Sequence, residues 1–248
     1  MPTILVALSN MPARRERSTF SLDGTYLLAI CLLTAIGLTA GCAPSPTDGS
    51  RSLIKDANLE QAIRKTLHKT DGDLTLSDLQ SLTTLDASSL DIGSLEGLQY
   101  CSNLSELTLV GNQIIDITPL AGLTDLEELR LMHNQIRDIS AVSGLVNLHE
   151  LGLMGNKIES IRPLAGLTKL RVLALAMNRI HDVRPLASLE SLDSLALYDN
   201  QIRDLQPLID NVGLGEGDRV NFQRNPLSDR AINEQVPILQ ERGVIVEY

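Results

Sequence analysis

Three glutamates, Glu106, Glu128 and Glu150, stand 22 residues apart, and neighbouring carboxylates of this kind can in principle divide general acid and base roles between them. Four aspartates, Asp116, Asp138, Asp182 and Asp204, keep the same register. A stacked acidic row suggests calcium, but calcium takes several oxygen ligands from each loop, and here each 22-residue unit offers one carboxylate. Hydrogen bonding within a turn is the reading that fits a lone Asp. His133 and His149 fall at opposite ends of adjacent segments, roughly 20 Å apart at about 3.3 Å per extended residue, so they cannot share a ligand. The three cysteines, Cys31, Cys42 and Cys101, show no zinc-type spacing. No Ser/His/Asp set and no glycine-rich phosphate loop stands out, so the sequence reads as a non-enzyme with no cofactor and no metal.

The common period of these residues is the period of the chain. The phrase L-x-x-L-x-L-x-x-N ends at Asn112, Asn134, Asn156, Asn178 and Asn200, and the segments 104–125, 126–147, 148–169, 170–191 and 192–211 superimpose without a gap. This is the signature of a leucine-rich-repeat solenoid. Subtracting one period lands on Leu82, Leu85, Ala87, Ile92, Leu95, Leu98 and Cys101, which makes 82–103 a degenerate first coil. Its asparagine position holds Leu90, as suits a terminal repeat with no preceding coil. Cys101 occupies the position of Leu123 and Leu167, so it reads as a small buried apolar side chain.

Each position of the coil then has a physical task. Leucines at positions 1, 4 and 6 point inward, and stacking at about 4.8 Å per coil joins short strands into a parallel sheet above one continuous core. Where the strand ends, backbone groups turn inward without sheet partners, and an asparagine side chain can satisfy them. The second half of the unit, I-x-D-I-x-P-L, with Pro119, Pro163, Pro185 and Pro207, predicts turns and short 3₁₀ helix. The expected fold is an α/β repeat solenoid, a curved arc of about six 22-residue coils with a concave parallel sheet and a cap at each end.

The caps follow from local pattern. Ile54, Leu59, Ile63 and Leu67 recur at helical spacing and predict a helix over 54–67 covering the open end of the core; 74-LTLSDLQSL-82 completes it. At the other end the repeat stretches by three residues through 213–218 and returns at Val220, Phe222 and Asn225. Ser228 is read as the N-cap of a helix carrying Ile232 and Val236, interrupted near Pro237 and ended by Gly243 before a short strand over 244–248. The organisation is therefore a leader over 1–41, a tether over 42–52, a helical cap over 53–81, repeats over 82–213 and a last repeat with cap over 214–248, closed at both ends.

The 22-residue phrase with I-x-D-I-x-P-L resembles the internalin type of bacterial leucine-rich repeat from Leu82 to about Asn211. That resemblance implies a curved rod whose strand-lined inner face binds proteins. Before Leu53 the character changes: Arg14, Arg15 and Arg17 precede the apolar run 26-YLLAICLLTAIGLTA-40 and small residues, which together read as a secretory signal, with Met11 an alternative start. The run is short for a membrane span of about 20 residues. The sequence 39-TAGC-42 resembles a bacterial lipobox, which implies cleavage before Cys42 and lipid on that cysteine; cleavage with release, or an uncleaved anchor, are the other readings. Several acyl chains would make attachment stable. Ala43 is not the aspartate that retains such proteins at the inner membrane of Gram-negative cells, so the expected location is the bacterial cell envelope, extracytoplasmic, at the outer membrane where there is one.

Removing residues 1–41 takes away three arginines and two acidic residues, leaving 18 basic against 29 acidic side chains and a net charge near −11. So acidic a surface argues against nucleic acid and anionic headgroups. Function must then be read from strand positions 3, 5 and 7, which face outward by alternation. The first column is Glu106, Glu128, Glu150, Val172, Ser194 and Arg219; the second is Thr108, Arg130, Gly152, Ala174, Ala196 and Asn221; the third is Val110, Met132, Met154, Ala176, Tyr198 and Gln223, with His133, Met177 and Asp199 beside it. Stacked glutamates repel by roughly 1 kcal/mol per neighbouring pair even in water, which suits a row kept for a basic partner, unless Arg130 and Arg171 offset the charge and the glutamates splay into solvent. Met132, Met154 and Tyr198 are expected to be exposed and, with Met177, to serve as anchors for a partner, over a shallow floor of Gly152, Ala174, Ala176 and Ala196. The reading is a monomer that binds a protein or peptide. A glycan or cell-wall receptor would offer several aromatic platforms where this face has only Tyr198, and a purely structural envelope component would need no apolar column.

Overall fold

The computed structural model describes residues 52–248; the leader, Cys42 and the tether up to Arg51 lie outside the described residues. Eight three-residue strands, β1 (Thr84–Asp86), β2 (Glu106–Thr108), β3 (Glu128–Arg130), β4 (Glu150–Gly152), β5 (Val172–Ala174), β6 (Ser194–Ala196), β7 (Arg219–Asn221) and β8 (Ile245–Glu247), form one parallel sheet in chain order. Sequence period and sheet register coincide: Glu106 pairs with Glu128 and Glu128 with Glu150, and the 25-residue step to β7 keeps the alignment by pairing Ser194 with Arg219. The three extra residues are absorbed in the turn after α3 (Gln206–Asp210). There Gly213 passes so close to the previous coil that a Cβ would lie 1.9 Å from the Glu190 carbonyl oxygen.

The side opposite the strand is 3₁₀ helix in five coils, at Leu98–Tyr100, Thr118–Leu120, Ser140–Gly144, Arg162–Leu164 and Arg184–Ser188, with proline in the first turn of three of them, and the short α3 in the coil of β6. The aspartates close turns into these helices. Asp116, Asp138, Asp182 and Asp204 each accept the backbone N–H two residues on, at 2.8–3.1 Å. Between strand and helix the leucine and isoleucine positions of every coil form one core, in which Cys101 is completely buried and its thiol pKa pushed up to about 12 by desolvation.

The asparagines run beside this core as a hydrogen-bonded zigzag. Asn134, Asn156, Asn178 and Asn200 each accept the N–H of Ile114, Ile136, Ile158 or Ile180 in the preceding coil at 3.0 Å. Each also donates to a carbonyl in its own coil and to one in the coil before, and Asn134, Asn178 and Asn200 reach a further carbonyl of their own coil. Asn225 continues the row through Ile202, Leu197 and Phe222. At the start of the row Asn112 accepts the N–H groups of both Leu90 and Ile92.

The caps differ in detail from the sequence pattern. The first helix, α1, spans Ala57–Thr66 rather than 54–67, because Asp56 ends the extended entry as an N-cap, one oxygen accepting from the Asn58 and Leu59 N–H groups. Its other oxygen accepts from Gly93 and Ser94, which ties the cap to the first coil. A short helix α2 (Leu76–Gln80) follows, opened by a reciprocal cap between Thr75 and Asp78. At the far end Ser228 Oγ accepts the Ala231 N–H, but the chain then makes a π turn over Ala231–Gln235 before α4 (Val236–Glu241). The wider turn brings Ala231 and Gln235 inward and leaves Ile232 exposed. No helix among the described residues is long and apolar enough to cross a membrane.

Candidate binding face

Alternation along β1–β7 fixes which side chains the outward strand face carries. Its first column holds the three glutamates, of which Glu128 and Glu150 do not splay. Arg130 bridges these two: its guanidinium is 2.6 Å from Glu128 Oε2 and 3.0 Å from Glu150 Oε1, with Nε donating to the same Glu150 oxygen at 3.1 Å. Glu150 is buried, at 7% exposure, whereas Glu128 is half-buried and Glu106 exposed. Desolvation raises the Glu150 carboxyl above its ordinary range; the Arg130 charge opposes this, and the neighbouring Glu128 and Glu106 add to it. Arg171 takes no part in this offset, because it pairs with Asp193 in the next coil.

The apolar column departs from the expected exposure. Met132 is buried at 9%, Met154 and Tyr198 are half-buried, and only Met177 stays exposed, at 38%. The reason is the floor of small residues. With no side chain at Gly152, Met132 folds down onto it, so that a Cβ there would lie 2.4 Å from the Met132 sulfur. Tyr198 reaches back across the coil of Ala176, and its hydroxyl donates to Met154 Sδ at 3.0 Å. Gly152, Ala174, Ala176 and Ala196 are thus all buried, and the predicted open trough is a ledge already filled by this chain's own side chains. A thioether or phenol beside a tall neighbour would have stood up; next to Gly or Ala it lies flat and recovers van der Waals contact.

At position 8, just past the ledge, every coil turns through a left-handed backbone: Gly111, His133, Gly155, Met177, Asp199 and Arg224 all have φ between 53° and 71°. Non-glycine residues in this region are strained by about 1–2 kcal/mol, and the sequence pattern gave no sign of it beyond the two glycines. Asp199 and Arg224 join across adjacent coils at 3.0 Å.

Taken along the sheet, the face changes character. It starts acidic at Asp86, Glu106 and the Glu128–Arg130–Glu150 clamp, becomes apolar and flat over the methionines and Tyr198, and ends polar at Asn221, where Asn221 donates to Glu247 at 2.6 Å. No cluster of three or more metal-ligating side chains occurs among the described residues.

Residues 124–166 and 168–210 each match a family model described as leucine-rich repeats in two copies. Among solved structures, the chain is similar to an internalin (inlF) from Listeria monocytogenes, at 32% identity and a TM-score of 0.72, over 79% of this chain and 56% of that one. It is also similar to internalin C2 (inlC2) from the same organism, at 33% identity and a TM-score of 0.60, over 78% of this chain and 93% of that one. A leucine-rich-repeat protein of Leptospira interrogans aligns at 27% identity with a TM-score of 0.61, over 70% of this chain and 44% of that one. The chain thus spans little more than half the length of the first of these structures.

Proposed function

From the premise that this chain belongs to the internalin-like leucine-rich-repeat proteins, we propose that it is a lipid-anchored, extracytoplasmic binding module that holds a protein or peptide partner on its concave strand face. The observation that carries the binding half is the flat ledge of Met132, Met154 and Tyr198. Its side chains are already ordered over a small-residue floor, so little side-chain entropy is lost on contact, and methionine and tyrosine suit an adaptable interface. Met177 projects beyond the ledge as an anchor. Glu106, Glu128 and Glu150, with Arg130 between the last two, supply an acidic flank that favours basic groups.

The anchor half rests on Cys42, the basic and apolar leader before it, and the polar tether after it. Two experiments separate the halves. Affinity capture from the producer's envelope, with wild type beside a folded variant carrying Met154→Lys, Met177→Lys and Tyr198→Lys, should retain a protein only on the wild type; equal retention moves the site off this face. Metabolic labelling with a fatty acid should mark wild type and leave Cys42→Ala unlabelled, and equal labelling rejects the lipid anchor.

A further inference from the structure

The 22-residue register supplies an internal template for what the acidic flank binds. On β3 and β4, Glu128 and Glu150 are paired in register and hold one guanidinium between them, that of Arg130 from the second column. One coil earlier, Glu106 and Glu128 stand in the same register relation on β2 and β3, and the second-column residue is Thr108. Threonine occupies the place of the arginine but is three atoms too short to put a cation between the two carboxylates. Asp86 pairs in register with Thr108 from β1, is exposed, and among the described residues its side chain accepts from its own turn at Ser88. The strand face over β1–β4 therefore carries four carboxylates, Asp86, Glu106, Glu128 and Glu150, and one arginine, whose ion pairs are with Glu128 and Glu150.

Resting on the concave-face reading above, we propose that the partner segment presents an arginine or lysine that seats over Thr108, between Glu106 and Glu128, repeating in trans what Arg130 does in cis. Charge complementarity selects a cation: the flank carries three more negative than positive groups. Arginine fits best, because its planar fork meets two carboxylates at once. The ledge fixes what comes next along the partner. From β2 to the coils of Met154 and Ala176 is two to three strand spacings, about 10–14 Å. A segment crossing the strands in extended form covers that in roughly three or four residues, so the cation should be followed or preceded at that distance by an apolar side chain lying where Tyr198 meets Met154.

The test is selection of a random nine-residue phage-displayed peptide library on the full chain in detergent, followed by fluorescence anisotropy of the enriched peptides. Arginine or lysine should be enriched at one fixed position, three or four residues from an apolar one. Affinity should fall about tenfold on Glu106→Gln, and by a similar factor on Thr108→Arg, which fills the place from within. A crystal structure of Thr108→Arg should show the new guanidinium within ion-pair distance of Glu106 and Glu128, a result that does not depend on any peptide. Peptides that are lost on Met154→Lys but carry no fixed cation, or are indifferent to Glu106→Gln, overturn this inference and leave the concave-face reading standing. Peptides indifferent to Met154→Lys as well, or no enrichment at all, overturn both.

Discussion

Replacing Asn156 by leucine removes one link from the zigzag, and the structure fixes what is left behind. Asn156 accepts the Ile136 N–H at 3.0 Å and donates to the carbonyls of Leu131 and Leu153, both at 3.0 Å. The two carbonyls keep one partner each, because Asn134 also donates to Leu131 and Asn178 also donates to Leu153. Only the Ile136 N–H is orphaned, beside a fully buried side chain. One unsatisfied buried donor costs about 1–3 kcal/mol, and each half-satisfied carbonyl loses a bond worth about 1 kcal/mol. Burial of the added leucine methyls returns about 1–2 kcal/mol. The net is a destabilisation of about 1–4 kcal/mol, read as a lowered midpoint in urea unfolding followed by circular dichroism, with the slope unchanged. The mirror experiment is Leu90→Asn, at the start of the row. Asn112 already donates to the Ala87 carbonyl at 2.9 Å, and no earlier repeat coil offers an N–H, so stability should move by less than about 0.5 kcal/mol. Equal midpoints for wild type and Asn156→Leu, or a large gain from Leu90→Asn, would refute the account of the row as a chain of shared backbone partners.

Asp56→Ala should cost about 2 kcal/mol in thermal or urea unfolding, since one carboxylate caps α1 and also holds the first coil. Burial pushes the Asp56 carboxyl up, but the N–H groups of Gly93, Leu59, Ser94 and Asn58 outweigh it and hold the pKa below the ordinary 3.8. Its contribution is therefore present above the unfolded value and lost as pH falls through the depressed native one, so wild type and variant should converge in acid. Glu150 has the opposite sign: its raised native pKa means that the folded state holds the proton more tightly, so stability declines as pH rises from about the ordinary 4.5 through the native value. In Glu150→Gln that decline should vanish from the difference between unfolding curves taken across this range; an unaltered slope would show that burial does not govern this carboxyl. Met177→Gly should raise stability by up to about 1 kcal/mol by relieving a left-handed residue at φ 57°, while weakening capture of the partner. A variant both destabilised and fully competent would contradict both roles of Met177.

Much of this architecture was readable from spacing, because a solenoid is a one-dimensional object in which position within the period sets position in space. Leu85, Leu107, Leu129 and Leu151 share one register line in the sheet because they share one sequence position. The same arithmetic carried Ser194 to Arg219 across the three-residue insertion. What spacing could not supply was the relation between unlike neighbours. Met132 reads as exposed from alternation, and its burial depends on the residue 20 places on being glycine. Arg171 and Arg130 occupy different positions of the coil, so their different partners, Asp193 in one case and two glutamates in the other, follow from column and not from charge. The π turn at Ala231–Gln235 is a local adjustment by which the last helix meets the final coil, and the only sequence hint of it was Pro237.

The same unlike-neighbour rule decides where on the strand face specificity can reside. Where a tall side chain has a short neighbour in the next coil, it lies down and becomes part of the floor, as Met132 does on Gly152. Where a charged side chain has an oppositely charged neighbour one column over, it is neutralised in place, as Arg130 is by Glu128 and Glu150. Both events remove reach and charge from the surface, so the middle of the sheet is left apolar and unselective. The first coils escape both: Glu106 has glutamate as its register neighbour, and Thr108 is too short to answer it. If the proposed face is the binding site, affinity from contact area and selectivity from charge reside in different coils, and they should be separable by mutation. Changes at Met154 or Tyr198 should weaken every ligand of this face, whereas Glu106→Gln should change which ligand is preferred and reduce the dependence of binding on salt.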